Sequence, residues 1–307
     1  MMLALSVLCI AAPVGPPAAP IPVILDTDIG SDVDDCFAVA TAVLDPRLDV
    51  LAITTVHDPD GVRGRLVRKL LVSLNRLDIP VFTGRTSPGG PPHYSYGSWA
   101  EDHTWYPPEE TAPEAIVRLA NERPGELTLV AIGPQRNVAE ALRLDPTAAR
   151  KLKSFVCMAG SYKIGYGGAP EPHAEWNITQ DIEAAQVVFD SALPTTMVGL
   201  DVCGQAIPSA AQMAELESSR NLGHRTLAAL ARTYGDAGGP YPPVLFDAVA
   251  VLQAADPSTC ATERVPILVD DQGFTRPAGD ERPHLVCAST DQSAIVDEVW
   301  RIYGLGD

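Results

Sequence analysis

The segment ILDTDIGSDVDD, residues 24–35, carries five aspartates within ten positions, directly behind an apolar run. Like charges at that density repel one another, so the segment needs a cation, a helix terminus or bulk water to tolerate them. Asp26 and Asp28 stand at the end of a strand-like stretch, and Gly30 gives the chain freedom to turn. Ser31 or Asp32 is suited to cap the helix that follows. Asp34 and Asp35 then fall in its first turn, where the helix dipole favours negative charge. Capping and solvation account for one or two of these acids. They do not account for Asp28 facing Asp34 and Asp35 across a tight turn. An oxygen-only cluster of this kind suits a hard cation, Ca2+ or Mg2+.

Two acidic motifs compete with that reading. An EF-hand loop beginning at Asp26 requires Gly at its sixth position and Glu at its twelfth, where this chain has Ser31 and Phe37. A phosphatase of the haloacid dehalogenase type opens with a strand and D-x-D followed by x-Thr or x-Val. Gly30 occupies that place here, and the dense DVDD is foreign to it, which leaves the phosphatase a minor alternative.

The elements that must position these acids alternate along the chain. Apolar runs at 22–26, 50–56, 80–83, 127–132, 154–158 and 195–200 read as strands. Apolar residues at helical spacing mark helices at 34–44, 64–77, 113–121, 137–144 and 182–189. Such alternation predicts an α/β fold, a mostly parallel central sheet flanked by helices on both faces. Ligands of such sheets bind beyond the carboxyl ends of the strands, where Asp26 and Asp28 fall. The last third is more helical, at 210–218, 224–234, 244–254 and 291–302, with short strands at 265–269 and 285–288. Residues 87–110 form a long loop rich in Pro, Gly, His, Tyr and Trp. Its aromatic content favours a lid or substrate wall.

With 307 residues, 46% of them hydrophobic, the chain can bury one large core. One domain is expected over 21–307. The net charge of −17 argues against nucleic acid or an anionic membrane as partner and leaves small molecules open. MMLALSVLCIAA at the start, followed by Pro13, Pro17, Pro20 and Pro22, reads as a secretory leader over 1–20. It is too short to span a bilayer, and no Lys or Arg precedes it. The expectation is a secreted or periplasmic protein, or a cytoplasmic one if this start is not a signal. Without any CxxC, a zinc site is not expected. Cys36, Cys157, Cys203, Cys260 and Cys287 lie mostly in apolar runs and read as core.

DTDIGSDVDD with the LAITTV that follows resembles the nucleoside hydrolases of the inosine–uridine-preferring type. LVAIGPQRNVAEAL (129–142), VCMAGSY (156–162), AEWNITQDIEAAQVVF (174–189) and FDAVAVLQAADPS (246–258) are similar to further blocks of that family, in family order. The resemblance implies cleavage of the N-glycosidic bond of ribonucleosides with one Ca2+, by a homo-oligomer. It implies that Asp28, Asp35, Asp247 and the carbonyl of Ile132 hold the metal. Asp28 would also act as general base. Asp34 would bind a ribose hydroxyl, and Glu175 and Asn177 would hold the sugar from the other side.

The chain departs from the family pattern in three places. Many members have His directly before the last metal aspartate; here it is Phe246, which has no proton to donate. The Asn after the second strand is replaced by VHDPDG (56–61), and the Asn ahead of the EWN block is missing near Ala169 and Pro170. His57, just beyond a strand end, is a candidate substrate contact. His93, His103 and His173 are further candidate acids, and Phe246, Trp99 or Trp105 could stack on a base. The rival from another class is a metal-containing protein that binds ribose or nucleoside without hydrolysis.

Overall fold

The structure, a computed structural model, describes residues 19–88, 92–279 and 283–306. The leader expected over 1–20 lies outside the described residues except for its last two. Along the chain come β1 (Ile21–Thr27), α1 (Asp34–Leu44), β2 (Leu48–Thr55), α2 (Val62–Ser73), β3 (Val81–Thr83), α3 (Ala112–Glu122), β4 (Thr128–Ala131) and α4 (Arg136–Leu144). Then follow β5 (Ser154–Met158), α5 (Trp176–Thr179), α6 (Ile182–Phe189), β6 (Thr195–Val198), α7 (Leu200–Cys203), α8 (Ala210–Ser218), α9 (Leu222–Asp236) and α10 (Phe246–Ala255). The chain finishes with β7 (Ala261–Val265), β8 (Ile267–Val269), β9 (Thr275–Pro277), β10 (His284–Ser289) and α11 (Gln292–Ile302).

Eight strands make the central sheet in the order β3-β2-β1-β4-β5-β6-β10-β7. All neighbours are parallel except β10 and β7. The α/β expectation therefore holds. Strand β1 is central, and its side chains alternate between two cores, as period two requires. Val23 and Leu25 pack with α1, α2, α9, α10 and α11, while Ile24 packs with α3, α4 and α6. Successive strands run outward from β1 through β2 to β3, and then restart at β4 on its other side. Such a reversal opens a crevice at the carboxyl ends of the two strands that flank it. Asp28 follows the end of β1, and Ile132 follows the end of β4.

One expected strand differs. The run at 265–269 is split by Pro266 into the end of β7 and all of β8, which pairs with β9 in a separate two-stranded ribbon. β7 itself, ATERV, is exposed along four of its five residues. An edge strand facing water has no apolar alternation to betray it. Among the described residues no helix is long and apolar enough to cross a membrane.

Candidate active site

The turn after β1 is built for close approach. Gly30 has φ of 116°, a left-handed conformation. A Cβ there would come within 2.8 Å of Leu66 Cδ1. Arg63 donates to the Ile29 carbonyl at 2.8 Å, and the Gly30 N–H donates to the Tyr96 hydroxyl at 2.9 Å. Tyr96 in turn donates to the Asp32 carbonyl at 2.6 Å, so this one tyrosine braces the turn from outside. Gly133, after β4, comes so near that a Cβ on it would meet Asp28 Oδ1 at 2.8 Å.

Three carboxylates converge where α1 and α10 begin. Ligand oxygens of Asp34, Asp35 and Asp247 all lie within 4.8 Å of one another, and all three residues are buried. Asp247 N–H donates to Asp34 Oδ2 at 3.4 Å, and Thr27 Oγ1 donates to Asp35 Oδ1. Burial, then the charges of the neighbouring acids, holds Asp34 and Asp247 well above the ordinary carboxyl range. Burial followed by the charge of Asp28 does the same to Asp35. Asp28 stands outside the triple, yet its charge raises all three. Its own carboxyl is raised by burial, with Arg63 and His57 pulling it back. A cluster whose members mutually oppose ionisation, made only of oxygen donors, is of the kind a hard cation stabilises.

A cavity of about 350 Å³ opens over this cluster, the size of a small-molecule site. Six carboxylates line it, those of Asp28, Asp32, Asp34, Asp35, Glu175 and Asp247, and among the described lining residues there is no Lys or Arg. Asp32 accepts from Val33 N–H at 2.6 Å and from the Tyr234 hydroxyl at 2.8 Å. Glu175 caps α5, accepting from Asn177 N–H at 2.8 Å, Gly160 N–H at 3.0 Å and Ile178 N–H at 3.3 Å. Burial pushes its carboxyl up to about 7, those N–H groups draw it back, and the charge of Asp28 adds to the rise. Asn177 Nδ2 donates to the carbonyls of Ile132 and Met158, both at 3.1 Å. A carbonyl oxygen has two lone pairs, so this bond leaves Ile132 one for a ligand.

The opposite wall is aromatic. Phe246 opens α10, and the Tyr166 ring meets it edge-on, with centroids 6.2 Å apart at 83°. Tyr166 Oη accepts from Trp176 N–H at 2.9 Å, and 51% of Trp176 remains exposed beside the cavity. From the loop of residues 87–110, His93 and Ser95 reach the lining.

The structure thus gathers Asp28, Asp34, Asp35, Ile132, Glu175, Asn177, Phe246 and Asp247 around one cavity. His57 lies outside that lining. Its Nε2 faces Asp181 Oδ2 at 3.4 Å, and Arg136 holds the same carboxylate through two 2.6 Å bonds. His173 packs on the Tyr166 ring, Trp105 lies against Gly64 on α2, and Lys69 sits over the Trp99 ring.

Asp26, read in the sequence only as one of the strand-end acids, and Tyr234 take roles that the sequence did not show. Asp26 is fully buried and accepts from Thr54 Oγ1 at 2.6 Å and Asn137 Nδ2 at 2.7 Å. Burial pushes its carboxyl up to about 7, against the pull of those two donors. It ties β1 to β2 and α4 directly beneath the turn that carries Asp28. Tyr234, which lines the cavity, sits in α9 among ordinary helical spacing and carries no motif signal.

Comparisons with known proteins show what the chain is similar to. The sequence model described as "Inosine-uridine preferring nucleoside hydrolase" matches residues 23–297. A probable uridine nucleosidase 2 of Oryza sativa subsp. japonica is 30% identical over 273 residues, covering 83% of this chain and 80% of that protein. The pyrimidine-specific ribonucleoside hydrolase RihB of Escherichia coli (strain SE11) is 30% identical over 267 residues, covering 81% and 82%. Among solved structures, the plant nucleoside hydrolase PpNRh1 superposes with a TM-score of 0.81 at 25% identity, over 92% of this chain and 98% of that one. A family match running from β1 into α11 leaves one conclusion: the chain belongs to the inosine-uridine preferring nucleoside hydrolase family.

Proposed function

We propose that this protein hydrolyses the N-glycosidic bond of ribonucleosides, releasing ribose and the free base, with Ca2+ as its cofactor. The observation that carries the reading is the buried convergence of Asp34, Asp35 and Asp247, with Asp28 beside them, on a cavity at the reversal of the sheet. Asp28, Asp35, Asp247 and the Ile132 carbonyl would hold the cation. Asp34, within the same cluster, can reach either the cation or a ribose hydroxyl. When bound, Ca2+ lowers the pKa of a water molecule and takes up ribose hydroxyls in its shell.

Asp28, beside the cluster at the end of β1, would accept the proton of the attacking water. As the bond from C1′ to nitrogen breaks, positive charge spreads over the sugar ring. Carboxylates around the ring stabilise that charge more than they stabilise the neutral ground state. Glu175 and Asn177 close the sugar side, and Phe246, Tyr166 and Trp176 offer flat surfaces to the base. Phe246 supplies no proton, so leaving-group activation differs from a mechanism with an acid at that position.

That missing acid is also what favours the rival reading, a nucleoside-binding protein without turnover. Incubation with Ca2+ and a panel of ribonucleosides, with free base and reducing sugar assayed, separates the two. Release of both is expected. Saturable binding without turnover would overturn the hydrolase, and phosphate release from phosphomonoesters would favour a phosphatase instead.

A further inference from the structure

The turn between Asp28 and Asp34 does not hold itself together. The carbonyls of Ile29, Gly30, Ser31 and Asp32 each accept a hydrogen bond from outside it. Arg63 Nη1 reaches Ile29 at 2.8 Å, and the Ser95 N–H reaches Gly30 at 2.8 Å. The Ser95 hydroxyl reaches Ser31 at 2.7 Å, and the Tyr96 hydroxyl reaches Asp32 at 2.6 Å. Buried backbone groups require such partners, so Arg63, Ser95 and Tyr96 set the path of the chain from one acid to the next.

Tyr96 does most of this with one atom. A phenol has one proton to give and lone pairs to receive, and here all of them serve the turn. The proton goes to the Asp32 carbonyl, while the oxygen receives the Gly30 N–H at 2.9 Å and the Cys36 thiol at 3.4 Å. Gly30 lies just after Asp28, and Cys36 is next to Asp35. One oxygen thus ties both ends of the turn. The residue is 1% exposed and leads into a short 3-10 helix, Gly97–Ala100. There the Trp99 carbonyl accepts from Lys69 Nζ at 2.5 Å, which anchors the segment to α2 and not to the turn it holds.

We infer that Tyr96 is a positioning residue of the cation site, whose hydroxyl preorganises Asp28 against Asp34 and Asp35 and so raises the affinity for Ca2+. This rests on the Ca2+ reading above and deepens it. Acids on opposite sides of a turn can relieve their repulsion by opening it. The bracket prevents that, so the ordering cost is met before the cation arrives. The linkage is reciprocal: a cation that draws the acids together also fixes the turn against Ser95 and Tyr96.

Titration calorimetry with Ca2+ on the full chain tests this, comparing wild type with Tyr96→Phe and Tyr94→Phe. Tyr96→Phe keeps the ring and removes the oxygen. Tyr94 lies on the same segment, but its buried hydroxyl has no hydrogen-bond partner among the described residues. Tyr96→Phe should weaken Ca2+ binding about tenfold, the scale of one hydrogen bond to a buried group, and Tyr94→Phe by less than about twofold. The rise in Tm that Ca2+ produces should shrink in Tyr96→Phe alone. A merely structural role would lower Tm equally with and without Ca2+ and leave the affinity unchanged, which overturns the inference. Should Tyr96→Phe fail to fold, Ser95→Ala removes only the hydroxyl bond to Ser31 and should weaken Ca2+ binding about threefold; unchanged affinity there overturns the inference equally. Ca2+ should also slow hydrogen exchange at the Ser95 amide, and exchange indifferent to Ca2+ would contradict the linkage. If wild type binds no Ca2+, the cation reading falls as well.

Discussion

The backbone N–H of Asp247 donates to Asp34 Oδ2 at 3.4 Å, joining the first turn of α10 to the first turn of α1 across 213 positions of sequence. Both helices start at the cavity, so the two acids meet because the elements that carry them pack side by side. Asp35 completes the cluster one residue further along α1.

Removing one charged member should therefore disable the cation site. Asp35→Ala or Asp247→Ala is expected to weaken Ca2+ binding by about 100-fold or more, since affinity for this ion follows the charge and number of its oxygen ligands. Titration calorimetry reads this directly. Unchanged affinity in either variant would place the cation elsewhere.

The cation-free protein should lose stability as pH rises. Asp26 and Glu175 move from 3.8 and 4.5 to about 7 on burial. Each binds its proton more tightly folded than unfolded, so the unfolded state holds fewer protons and stability falls with pH. Their contribution is fully present below about pH 4 and is lost as pH climbs through about 7. The Tm of chelator-treated protein should decline between about pH 5 and about pH 8, and added Ca2+ should raise it at the upper end by mass action. A Tm that climbs across that range would contradict the assignment.

Gly133→Ala tests the seat of the base. The new Cβ would stand 2.8 Å from Asp28 Oδ1 and 2.9 Å from the Asp28 nitrogen, with backbone unable to yield. We expect a stability loss of about 1–3 kcal/mol, the usual cost of overpacking, and a kcat that falls further than KM rises. Wild-type stability and rate together would show that Asp28 does not sit against this residue.

Phe246→His should restore a proton donor where the aromatic wall now stands. The expected outcome is a gain of about tenfold or more in kcat on inosine, below the full range for a well-placed general acid because no neighbour is arranged to orient the new imidazole. The gain should appear as a pH-dependent limb absent from wild type. No gain, with Ca2+ affinity intact, would mean that position 246 does not face the leaving group.

Much of this architecture was legible from residue pattern alone. Period-two and helical spacings gave the strand–helix alternation, and the density of aspartates after the first strand marked where Asp34 and Asp35 gather. Asp247 was reachable only through its resemblance to a family block, because nothing local links it to α1. Asp32 and Tyr234 bond across 202 positions with no periodicity to reveal it. His57 looked like a substrate contact because it follows a strand end. In the structure it adopts φ of 50° and turns toward Asp181, which Arg136 also holds. Buried ion pairs between distant elements leave no trace in hydrophobic patterning, and the exposed edge strand β7 fails to show for the opposite reason.

The central claim is that the Asp34–Asp35–Asp247 cluster, with Asp28, is a cation site that drives hydrolysis. Titrating Ca2+ into metal-stripped protein while following ribose release from a ribonucleoside, alongside heat of binding, tests it most directly. The two curves should rise together and saturate at one equivalent of Ca2+, with activity lost again on chelation. Full ribose release from metal-stripped protein, or Ca2+ binding that leaves the rate unchanged, would contradict it.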